Sequence, residues 1–60
     1  MGQHCQRFVA WYDMSATRDR WVVIDIEHDD PKTVSGKMEM ARVSNTEKAR
    51  SIALELERGS

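Results

Sequence analysis

Asp25, Glu27, His28, Asp29 and Asp30 form the densest group of chemically capable side chains in this chain, since carboxylates with an imidazole can hold a divalent metal. Alternation along a strand sends His28 to the face opposite Asp25 and Glu27, however, and no second cluster supplies further ligands. No metal site is expected there. The group reads as a solvated strand end, or as an acidic patch that attracts a basic partner surface. His4 and Cys5 are adjacent near the start and His28 stands apart, so no nucleophile, base and orienting group can be assembled. Neither a GxGxxG pattern nor a P-loop is present. The expectation is a protein that binds rather than catalyses, without a cofactor.

The elements that position these residues follow from periodicity. Residues 7 to 14 (RFVAWYDM) are rich in aromatic and β-branched types, and a polar run over 15–19 separates them from a second such segment, which predicts a hairpin. In residues 20 to 28 (RWVVIDIEH), Val22, Ile24 and Ile26 alternate with Trp21, Val23, Asp25 and Glu27, as on a strand. A turn-rich loop over 29–36 leads to residues 37 to 43 (KMEMARV), a third strand built from good helix formers. A helix starting there is the competing assignment.

Ser44, Asn45, Thr46 and Glu47 match a capping box, with Ser44 as the N-cap and the helix starting at Asn45. Ala49, Ile52, Ala53 and Leu56 then form one narrow apolar stripe. Gly59 sits where a C-terminal cap belongs. Leu54 points roughly 140° away from Ala49 at 100° per residue, a minor second contact point. The fold class expected is α+β: a three-stranded antiparallel sheet (β-β-β-α) with one C-terminal amphipathic helix packed on one face. Residues 1–6 are read as a flexible N-terminus and residues 7–58 as one domain.

Composition limits the function. A 60-residue chain lies near the lower size at which a fold stands without disulfides, metal or partner. Nine basic against ten acidic residues, a net charge of −1, argue against affinity drawn mainly from phosphates. A hydrophobic content of 40% with 32% charged residues describes a folded chain rather than a disordered one. Cys5 is the single cysteine, which fits a reducing compartment, and no stretch is long and apolar enough to span a membrane. The start lacks the features of a signal peptide, so a cytoplasmic location is expected.

One narrow helical stripe cannot cover a sheet with apolar residues on both faces. If Phe8, Tyr12, Val22, Ile24 and Ile26 lie under the helix, then Val9, Trp11, Trp21 and Val23 form an exposed patch on the opposite side. With Asp25, Glu27 and Asp29 at the strand end, these are the candidate partner-binding residues of an adaptor-like or inhibitor-like protein. The partner is another protein or a second copy in a homodimer. A nucleic-acid role ranks second, with Arg7, Arg18, Arg20 and Arg42 as its candidate residues.

Trp21-Val22-Val23, Gly36-Lys37, residues 40–43 and Thr46-Glu47-Lys48-Ala49-Arg50 follow in an order that resembles AP2 domains of plants and the arm-binding domains of phage integrases. That resemblance covers about the last two-thirds of the chain and implies a sheet that docks on DNA. Asp13, Asp25 and Glu27 stand where such domains carry basic residues, and would repel DNA. In general character the chain also resembles small inhibitory or accessory proteins of phages and plasmids.

Overall fold

The computed structural model describes residues 6–59. Residues 1–5, which carry most of the expected flexible N-terminus together with His4 and Cys5, lie outside the described residues. Strand β1 spans Phe8–Tyr12, β2 Trp21–Asp29 and β3 Lys37–Val43, and helix α1 spans Thr46–Gly59. The sheet is antiparallel in the order β1-β2-β3, so β1 and β3 are its edges. This is the expected α+β fold, and residues 37 to 43 are a strand despite their helical propensities. Pairing with β2 outweighs local preference there, as tertiary context commonly does.

Two loops set the register. The first closes with the Asp13 amide on the Arg20 carbonyl at 2.6 Å, and Asp19 takes a left-handed φ of 51°, which Asp tolerates better than most side chains. In the second, the Asp30 amide donates to the Gly36 carbonyl at 2.9 Å. Gly36 has a φ of 78°, where a Cβ would be strained.

The helix begins one residue later than its sequence signature suggests. Asn45, not Ser44, is the N-cap: its Oδ1 accepts from the Lys48 amide at 2.9 Å. Both residue types cap well, so the local pattern leaves a one-residue ambiguity that tertiary placement resolves. Asn45→Ala should lower stability by about 1 kcal/mol, with Ser44→Ala near neutral, as urea melts would show. Equal losses for the two variants would refute the assignment. Gly59 is the last helical residue and has no left-handed φ, so it does not form the expected cap.

The helical stripe is as expected: Ala49 and Ala53 are buried, and Ile52 and Leu56 pack beside them. What they cover is not. In the observed register Phe8, Ala10 and Tyr12 stand opposite Asp25, Val23 and Trp21, and Val23 and Trp21 stand opposite Ala41 and Val43. Directly paired residues share a face. The helix therefore covers Phe8, Ala10, Trp21, Val23, Ala41 and Val43, and the expected orientation of β2 is inverted. Four alanines, Ala10 and Ala41 on the sheet with Ala49 and Ala53 on the helix, leave room for the two layers to approach closely.

Candidate functional site

The inversion removes the large patch expected from Val9, Trp11, Trp21 and Val23. Val23 is 0% exposed beneath the helix, and Trp21, half-buried, packs against the same core on the helical side. Val9 and Trp11 do lie on the opposite face and are half-buried. They share it with Val22 and Ile24, which are buried between their cross-strand neighbours: Trp11 and Arg42 beside Val22, Val9 and Glu39 beside Ile24.

The acidic strand end also differs from expectation. Asp25 is buried, 2% exposed. Its two oxygens accept a fork from the Arg7 guanidinium at 3.0 and 2.9 Å, and Oδ1 also accepts the Glu27 amide. His28 Nδ1 lies 2.8 Å from Asp25 Oδ2, although strict alternation would put the two on opposite faces. The reason is a bulge: β3 pairs with Asp25 and then with Asp29, so residues 26–28 are skipped in the β2–β3 ladder and His28 returns to Asp25. Glu27 and Asp29 are exposed, and Asp29 pairs with Lys37.

Asp13 is a second buried carboxylate, held by the Ser15 amide and hydroxyl and by Arg42. Arg42 also bonds Glu39. Two of the four arginines considered for nucleic acid, Arg7 and Arg42, thus direct their charge at carboxylates of the chain itself. Arg20 bonds the Ala16 carbonyl and the Tyr12 hydroxyl in the first loop, and Arg18 is exposed in that loop. Arg42 also donates to the Asp19 carbonyl, beside the loop that carries Arg18 and Arg20, while Arg7 lies at the opposite end of β1. Among the described residues no three His, Cys, Asp or Glu side chains converge as metal ligands, and no helix is long and apolar enough to cross a membrane.

These contacts set a pH dependence. The Arg7 fork holds the Asp25 carboxyl well below its ordinary range. Asp13 is lowered chiefly by the Ser15 hydroxyl, and Asp29 by Lys37. A carboxyl with a depressed folded-state pKa stabilises fully above its unfolded value of about 3.9 and loses that contribution as pH falls further. Thermal melts should therefore be flat above about pH 5 and fall steadily below about pH 4. Arg7→Met should flatten part of that fall; an unchanged acid limb in the variant would contradict the Arg7 to Asp25 linkage.

What the geometry does assemble is an edge. Arg7 O accepts from the Ile26 amide, and the Asp13 amide donates to Arg20 O, so odd-numbered residues of β1 bond β2. By antiparallel alternation the backbone groups of Phe8, Ala10 and Tyr12 point outward. The Phe8 amide is taken by Glu57 Oε2 of the helix at 2.7 Å, as is the Arg7 amide at 2.6 Å. No hydrogen bond to the outward N–H and C=O of Ala10 or the Tyr12 amide occurs among the described residues. Beside this edge runs a groove of about 460 Å³, lined by Gln6, Phe8, Val9, Ala10, Arg50, Ala53 and Leu54. Leu54 is 61% exposed.

The opposite edge is defended. β3 carries Lys37, Glu39 and Arg42 and a register shift that skips Met40, devices that discourage pairing with another chain. β1 has neither a charge nor a proline in Phe8–Tyr12. Arg50 and Glu57 escaped the sequence reading because their role depends on where the helix lies relative to the edge. The signals present were an uncharged first strand and Leu54 standing off the helical stripe. Comparison with known proteins gives no match to a protein family, to a curated protein or to a solved structure.

Proposed function

We propose that this chain is a non-enzymatic protein-interaction module that takes up an extended segment of a partner as a fourth strand on β1. The observation that carries the reading is the uncharged edge strand whose outward groups at Ala10 and Tyr12 lack a partner among the described residues, beside a groove closed on one side by the helix. Backbone bonds would supply affinity in such a mode and groove side chains selectivity. Val9 and Trp11, on the face away from the helix, extend the contact along the same strand. The acidic strand end at Glu27 and Asp29 adds orientation toward a basic partner surface.

The test is selection of displayed random peptides against the chain. Binders should protect the Ala10 and Tyr12 amides from hydrogen exchange. They should weaken about tenfold on Ala10→Pro, which removes one donor worth about 1 kcal/mol and obstructs the edge. Proline is tolerated at an edge position whose N–H faces solvent, and a thermal melt of the variant checks that the fold persists. Selected binders indifferent to Ala10→Pro would sink strand addition.

A further inference from the structure

The side chains flanking the free edge narrow the choice of partner. Arg50 has no hydrogen bond or ion pair among the described residues, whereas Arg7 and Arg42 are both engaged by carboxylates. It lines the groove on the helical side, one turn before Leu54. The groove thus offers an apolar wall of Ala53 and Leu54 with a single cation next to it. A second copy of β1 would bring only Phe8, Val9, Ala10, Trp11 and Tyr12, none of which can neutralise Arg50.

The direction of the helix fixes the order of these features along the edge. Val43, Trp21 and Tyr12 lie side by side in the register, and the helix starts three residues after Val43. It then runs back to place Glu57 on the Phe8 amide. Arg50 is therefore nearer the Tyr12 end, and Leu54 nearer the Phe8 end. Their separation of one turn is about 6 Å, close to the roughly 6.7 Å between side chains two apart on a strand. An antiparallel guest places every second side chain on the helical face. It passes Arg50 first and Leu54 second.

Resting on the strand-addition reading, we propose that the groove recognises an extended peptide with an acidic residue two positions before an aliphatic one, the carboxylate pairing with Arg50 and the aliphatic chain packing on Ala53 and Leu54.

The test uses the full chain labelled with ¹⁵N and three blocked peptides: Thr-Glu-Thr-Val-Thr, its Gln-for-Glu counterpart, and Thr-Thr-Glu-Val-Thr with the acid moved to the adjacent position. Amide shifts of Ala10 and Tyr12 report occupancy. The first peptide should bind about two- to fivefold tighter than either of the others, the range expected for a solvated ion pair, and Arg50→Gln should erase that difference. Equal binding of all three with shifts still at Ala10 would overturn the acidic preference and leave strand addition standing. Absence of shifts at this edge with any peptide would overturn both. Broadening of the Ala10 signal that grows with protein concentration alone would show a second copy on the edge and overturn the acidic-peptide assignment.

Discussion

Phe8→Ala should remove most of the stability of this fold. Phe8 is 5% exposed, and it contacts Val23, Ala49 and Ala53 in the core between sheet and helix. The Arg7 guanidinium lies over its ring at 5.1 Å, and its amide is held by Glu57. Truncating a buried Phe typically costs about 3–5 kcal/mol through lost burial and the cavity left behind. At roughly 0.05–0.15 kcal/mol per residue, a chain of this length has only about 3–9 kcal/mol in total. The neighbouring alanines are too small to fill the space. For so small a domain 1 kcal/mol shifts Tm by about 4–8 °C, so a fall of at least about 12 °C is expected, or loss of a cooperative melt. Circular dichroism on heating measures it. A fall below about 5 °C, less than the smallest such cost would give, would mean that Phe8 is not the centre of the core.

The concentration of the core on one large side chain follows from the small residues around it. Ala49 and Ala53 draw the helix down onto the sheet, and Glu57 ties its last turn to the start of β1. The same tie leaves the Phe8 amide closed and the Ala10 amide open. Core packing and edge availability are two results of a single helix placement.

The strands and the helix were legible because each is a local pattern. Period-two alternation marks β2, and the stripe from Ala49 to Leu56 marks α1. Even the weak third strand spans Lys37–Val43 as expected. Face assignment was not legible in the same way. Alternation sorts β2 into two sets but does not say which set lies under the helix, and the more hydrophobic set, Val22 and Ile24, lies on the other side. The usable clue was volume rather than hydrophobicity: a close helix requires small residues opposite, and Ala10 and Ala41 belong to the set with Val23.

The buried carboxylates were invisible for a different reason. Asp13 and Asp25 read as solvent-facing because burial of an unpaired charge is costly, and their arginines lie 29 and 18 residues away in sequence. Nothing local announces such a pairing. His28 was displaced from its expected face by a bulge that no turn residue signals. At the candidate site, Trp11 and Val9 were placed on the correct face. The backbone edge, by contrast, has no residue signature except the lack of charge in β1.

The two tryptophans separate the observed face assignment from its inverse. Trp21 stands in register between Tyr12 and Val43, meets the Tyr12 ring edge to face at 5.1 Å and 61°, and packs against the core under the helix. Because it is half-buried, Trp21→Ala should cost less than a fully buried aromatic, about 2–3 kcal/mol. Trp11→Ala, on the face without a helix, should cost about 1 kcal/mol. Urea titrations followed by circular dichroism should show the larger fall in midpoint for Trp21→Ala at unchanged slope, the mark of altered stability rather than altered compactness. Binding should separate the pair in the opposite sense. Trp11 lies along the strand that receives the guest, so its loss should weaken peptide uptake under conditions where both variants are fully folded. Trp21→Ala should bind normally once folded. Small and similar stability losses in the two variants, with binding loss in both, would require β2 to be turned over, returning Val22 and Ile24 to the helix and placing Trp21 and Val23 beside Trp11 on the open face.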